Sequence, residues 1–111
     1  YPDAERDNRI MEMNFGDWEM KSFDEISDPR LKEWYADYIN VPATNGESFA
    51  IQYQRVASFL DELKEKNYEK VAIFAHGGVL ICAQLYAGAI KQEEAFSALT
   101  PYGGIIQLRL D

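Results

Sequence analysis

"VAIFAHGGVLICAQL", residues Val71 to Leu85, is an apolar run broken at its middle by one histidine and two glycines. Its first part, with Lys70 before it, is a short β-branched run to Ala75. Such a run between two helical patterns predicts a strand covered on both faces. Its second part, Val79 to Ala87, is apolar nearly all round and predicts a buried helix closed by Gly88. A strand leading into a helix in this way predicts an α/β protein with a parallel sheet.

Outward from this stretch the pattern is mostly helical. Phe49, Tyr53, Val56, Leu60 and Leu63 recur at helical spacing within Glu47 to Lys66, opposite a polar face carrying Arg55, Asp61, Glu62 and Lys66. Thr44 with Glu47 three residues on fits a capping box, and Asn67 stands where helices commonly end. "DPRLKEWYADYI" places Asp28 at a cap and Pro29 at the first helical position, with Leu31, Trp34, Tyr35 and Tyr38 on one face. "SFDEI" allows one turn capped by Ser22, "RIMEMNF" reads as an extended segment ending at Gly16, and "KQEEAFSAL" reads as a short helix. "GGIIQLRL" alternates Ile106, Leu108 and Leu110 with polar residues, as a half-covered strand does. No repeat or linker interrupts the chain, so 1–111 reads as one unit.

The totals exclude several classes. The 111 residues are 47% apolar and carry a net charge of −8. No basic field attracts nucleic acid or an anionic membrane, and no run reaches the roughly 18 apolar residues of a membrane span. A lone cysteine, Cys82, forms no internal disulfide, and the expected compartment is cytoplasmic. No Cys/His cluster has metal-ligand spacing, so no metal or other cofactor is expected.

In an open α/β sheet ligands bind where a strand end leads into the next helix. His76 takes that position, and Gly77 and Gly78 leave the first helical amides open to an anion. An imidazole there can donate to phosphate, move a proton, or attack phosphorus. It can equally be a structural residue held by hydrogen bonds. Neither a G-x-G-x-x-G nor a G-x-x-x-x-G-K pattern is present, which argues against a nucleotide loop. In "NRIMEMNFGDWE", Glu12 lies among Met11, Met13 and Phe15, where desolvation raises a carboxyl pKa toward that of a general acid; the alternative is an exposed carboxylate.

Taken in order, "RIMEMNFGDWE", "NGES" opening a helix, and a strand running into "AHGG" resemble the C-terminal part of the histidine phosphatase superfamily, the phosphoglycerate mutase-like fold. The likeness is greatest to small bacterial phosphatases of the α-ribazole phosphatase type. The resemblance implies that Glu12 is the proton donor, that His76 contacts the transferred phosphoryl group together with the amides of Gly77 and Gly78, and that Glu47 of "GES" lies near the pocket. Glycine usually follows "WE" in this family, whereas Met20 stands here. The family's "RHG" segment, with the histidine that becomes phosphorylated, does not occur in these residues, and His76 is the only histidine. Arg6 and Arg9 match neither of the family's phosphate-binding arginines and are expected in exposed ion pairs.

The resemblance therefore implies a phosphomonoester hydrolase acting through a phosphohistidine on a small phosphorylated metabolite. This chain would be its C-terminal part, an incomplete three-layer α/β sandwich of mostly parallel sheet with flanking helices, inactive alone. It would recruit an N-terminal segment or self-associate through an exposed strand. Mutase-type phosphoryl transfer and a non-catalytic anion-binding or interaction domain are the alternatives. A strand ending in "RHG" upstream favours the enzyme, and its absence favours the binding module.

Overall fold

The computed structural model describes residues 4–95 and 104–110. Among them are three α-helices, α1 (Arg30–Ala36), α2 (Phe49–Glu65) and α3 (Gly77–Tyr86), with single 3-10 turns at Asn8–Ile10, Gly16–Trp18, Phe23–Glu25 and Gln92–Glu94. The chain divides into two compact units, one of residues 1–12 and 55–111 and the other Met13–Gln54, and the boundary falls inside α2.

No strand or sheet forms among the described residues, which corrects the α/β sandwich expected from sequence. Residues 70–76 run without ladder hydrogen bonds, with Val71 49% and Phe74 71% exposed. The same holds for 104–110, where Ile105 is 88% exposed. A β-branched run states a demand for burial, but a strand exists only when a non-local neighbour supplies the other half of each hydrogen bond. The described residues supply none. The "KQEEAFSAL" helix reduces to the turn at Gln92–Glu94, and its residues from 96 on lie outside the described residues, as does Gly103 of the last expected strand.

The helices follow their local signals. Asp28 Oδ1 accepts the Arg30 N–H at 2.9 Å just ahead of α1, and Pro29, expected as the first helical residue, is its N-cap. At α2 the cap is Ser48, whose Oγ accepts the Ile51 N–H at 3.2 Å. It is not the Thr44/Glu47 box, because Thr44 donates its hydroxyl to Asp28 instead. Phe49, Gln52, Val56 and Leu60 form the buried stripe of α2, and Tyr53 and Leu63 are half-buried. Asn67 adopts φ +53 just past its end. Helix α3 buries Val79, Ile81 and Cys82, a contribution of roughly 1.5 to 3 kcal/mol for each large apolar side chain. It closes at Gly88 (φ +74) with Gly88 N–H to the Leu85 carbonyl and Ala89 N–H to that of Gln84, the paired bonds of a Schellman end.

The Met13–Gln54 unit is built on aromatic side chains. Trp18, Trp34 and Ala43 are buried, with Phe15, Ile26, Leu31, Tyr38 and Val41 packed against them. The two indoles meet edge to face at 6.0 Å. Asp28 joins this core to the turn beyond it by accepting from Trp18 Nε1 at 3.3 Å as well as from Thr44, whose hydroxyl holds its carboxyl below the usual range.

Met20, at the position where glycine was expected, has φ +64 with its side chain 99% exposed. A left-handed backbone strains an L side chain, and this one gains no burial in return. Met20→Gly therefore raises the thermal midpoint, by an amount corresponding to on the order of 1 kcal/mol. An unchanged or lower midpoint in a thermal melt would refute this.

Candidate functional site

The segment leading to Glu12 starts with a small knot of charge. Asp7 Oδ1 accepts the Arg9 N–H at 2.8 Å and caps the turn Asn8–Ile10. The Arg9 guanidinium bridges Asp7 Oδ2 at 2.7 Å and Glu62 Oε2 of α2 at 3.1 Å and lies 5.4 Å over the Phe59 ring. Its hydrogen bond holds the Asp7 carboxyl below the ordinary aspartate range, and the two carboxylates raise Arg9 above its own. The ion-pairing reading of Arg9 holds.

Beyond this turn the backbone is extended at Met11 (φ −73, ψ 152), and Glu12 follows. Arg55 of α2 reaches the segment with both terminal nitrogens: Nη1 donates to the carbonyls of Arg9 at 3.0 Å and Met11 at 2.6 Å, and Nη2 to that of Glu12 at 3.1 Å. At the other end of the same residue, Glu12 Oε2 accepts the Gly78 N–H at 3.2 Å. Glu12 is exposed, as is Met11, and only Met13 of its expected apolar neighbours is buried. The carboxylate is thus held by a backbone amide and not enclosed by side chains.

His76 is the N-cap of α3, with extended backbone (φ −106, ψ 167) and an exposed imidazole, and its carbonyl accepts the Leu80 N–H at 3.1 Å. Gly77 and Gly78 are the first two helical residues, where the sequence reading put them in a loop before the helix. First-turn amides and the helix dipole favour an anion at this end, and the Glu12 carboxylate takes the Gly78 N–H. Glu12 Oε2 thus reaches the end of α3 that opens with His76, Gly77 and Gly78. Such a grouping can accept a phosphoryl oxygen at the amides and pass a proton through a carboxyl beside it.

Glu47 belongs to the Met13–Gln54 unit. Its carboxylate accepts the Asn14 N–H at 2.8 Å and its own N–H donates to the Asn14 carbonyl at 2.7 Å, so it pins the 14–16 turn against the turn that precedes α2. Glu19 of "WE" likewise accepts the Phe15 N–H at 2.7 Å. Arg55 is the residue that sequence reasoning passed over as one more charge on a polar face. A single sequence carries no mark of which carbonyls a guanidinium will meet. Among the described residues, no group of three or more histidine, cysteine or acidic side chains is placed to hold a metal ion, and no helix is long and apolar enough to cross a membrane.

Cys82 lies one turn along α3 from Gly78 and is fully buried. Burial pushes its thiol up to about 12, with Arg55 lowering it and Glu12 raising it to lesser extents. An unfolded thiol ionises near 8.5, so the unfolded chain loses its proton first and stability falls with rising pH between about 8.5 and the folded value. We expect this alkaline loss in urea melts from pH 8 to 10.5, and expect it to shrink in Cys82→Ala. Equal pH dependence in the two proteins would contradict it.

The sequence model described as "Histidine phosphatase superfamily (branch 1)" matches residues 2–111. Over 75 residues the chain is 36% identical to the adenosylcobalamin/alpha-ribazole phosphatase of Escherichia coli K12, covering 64% of this chain and 37% of that protein. It is 28% identical over 108 residues to a Hydrogenobacter thermophilus protein named as a phosphoserine phosphatase, covering 95% of this chain and 53% of that protein. The crystal structure of the alpha-ribazole phosphatase from Shigella flexneri superposes with a TM-score of 0.72 at 29% identity, over 85% of this chain and 48% of the other. The chain thus spans about half or less of the length of these relatives. With its motifs in the family's order and the family match running over nearly every residue, the chain belongs to the histidine phosphatase superfamily, branch 1.

Proposed function

We propose that this chain forms the proton-donor side of a phosphomonoester hydrolase that works through a phosphohistidine. Glu12 is the general acid for the leaving oxygen, and His76 with the amides of Gly77 and Gly78 stabilises charge on the transferred phosphoryl group. The observation that carries this reading is the Glu12 carboxylate resting on the Gly78 N–H at the end of α3 that His76 caps. The relatives named for alpha-ribazole and phosphoserine phosphatase activity support a small phosphorylated metabolite as substrate.

His76 is the only histidine in the sequence and takes the second role, so the nucleophile comes from polypeptide beyond these 111 residues. Val71 and Phe74 are exposed and offer apolar surface that such polypeptide, or a second copy of this chain, would bury. The purified chain alone is expected to release no phosphate from p-nitrophenyl phosphate above the buffer rate. The complete enzyme, quenched during turnover, is expected to hold an acid-labile, base-stable phosphoryl group outside the peptide containing His76. Turnover by the chain alone that disappears in His76→Ala would overturn this assignment, because it would make His76 itself the nucleophile.

A further inference from the structure

Arg55 does for the Glu12 segment what a neighbouring strand does for an extended chain. The Arg9 carbonyl within the turn Asn8–Ile10 and those of Met11, whose backbone is extended, and Glu12 beyond it accept from one guanidinium at 3.0, 2.6 and 3.1 Å. Its donors lie in one rigid plane, so fixing one contact helps to fix the others. With the Glu12 backbone held by α2 and Oε2 held by the Gly78 amide of α3, the carboxyl is fixed at both ends. The Arg9 knot ties the same segment to Ser58 and Glu62, but through a side chain three residues before Glu12.

We infer that Arg55 is a positioning residue that sets where the Glu12 carboxyl stands relative to the first amides of α3. Lysine in its place keeps the charge but offers a compact ammonium that does not match three separate backbone carbonyls. The inference rests on the reading of Glu12 as proton donor only where it concerns catalysis. The positioning itself is tested without activity.

In the full chain, the ¹⁵N shift of the Gly78 amide is expected to follow the titration of Glu12, as judged by loss of that titration in Glu12→Gln. In Arg55→Lys its amplitude is expected to fall by at least half, and in Glu62→Gln, which loosens only the Arg9 knot, to stay within a fifth of the native value. An undiminished amplitude in Arg55→Lys overturns the inference. If Arg55→Lys does not unfold cooperatively, the native chain decides: a held guanidinium gives separate, slowly exchanging Nη proton signals at low temperature, and one averaged Nη signal overturns the inference. In the complete enzyme, Arg55→Lys is expected to lower kcat by roughly 10- to 100-fold on alkyl phosphates, with a smaller loss on p-nitrophenyl phosphate and little change in KM. Leaving-group dependence in Glu12→Gln without any in Arg55→Lys removes Arg55 from catalysis. Its lack in Glu12→Gln removes the proton-donor reading and leaves the positioning result standing.

Discussion

Glu12→Gln in the complete enzyme is expected to lower kcat on an alkyl phosphate by on the order of 10² to 10⁴, and by far less on p-nitrophenyl phosphate. The difference is the signature of a general acid. An alkoxide is too basic to depart without a proton, whereas p-nitrophenolate is stable enough to leave unaided. Glutamine preserves the shape of the side chain and still has an oxygen for the Gly78 N–H, so the contact at the start of α3 survives while the transferable proton is lost. Measured kcat on the two substrates gives the comparison directly. Equal losses on both would mean that Glu12 only holds the fold together at that helix end.

The second large effect concerns the turn that follows Glu12. Gly16 has φ +57, and a Cβ there would stand 2.2 Å from the Thr44 carbonyl oxygen and 2.6 Å from the Gly46 nitrogen. Both are backbone atoms, already tied by the Asp17 N–H to the Thr44 carbonyl at 2.9 Å and by Glu47 to Asn14. Gly16→Ala therefore adds left-handed strain to an overlap that no rotamer change relieves, and we expect a loss of about 3 to 5 kcal/mol. Urea denaturation reports it, with the near-ultraviolet signal of Trp18 and Trp34 as the probe of this unit. A loss under about 1 kcal/mol would show that the two turns separate easily.

Gly16 also shows what was legible in the sequence. The motif put it at a turn, and the helix-end signals at Asn67 and Gly88 were met as well, because a positive φ is a local backbone requirement that few residue types satisfy. Of the proposed site residues, Glu12 and Gly78 are brought together, Glu12 Oε2 accepting the Gly78 N–H at 3.2 Å, while His76, Gly77 and Gly78 are neighbours simply by being consecutive. Arg55 was not legible, because its partners are backbone carbonyls 43 to 46 residues away and no side chain at those positions advertises them. The sheet was read from Lys70–Ala75 and Ile106–Leu110 on hydrophobic pattern alone. Pattern is local and pairing is not, and among the described residues these segments are extended, largely exposed and unladdered.

Glu47 shows a related limit. The spacing of Thr44 and Glu47 fits a capping box, yet the Glu47 carboxylate accepts the Asn14 N–H, a contact set by the close approach of two turns. The cap falls to Ser48, one residue on.

The most direct test of the account is inorganic phosphate titrated into the complete enzyme at pH 7 while the backbone amides of Gly77 and Gly78 are followed by NMR. The account predicts that both resonances shift saturably, with the half-point equal to the inhibition constant of phosphate, as the anion takes up the first-turn amides and Glu12 yields the Gly78 N–H. Full inhibition by phosphate with both amides unmoved would place the phosphoryl group elsewhere and contradict it.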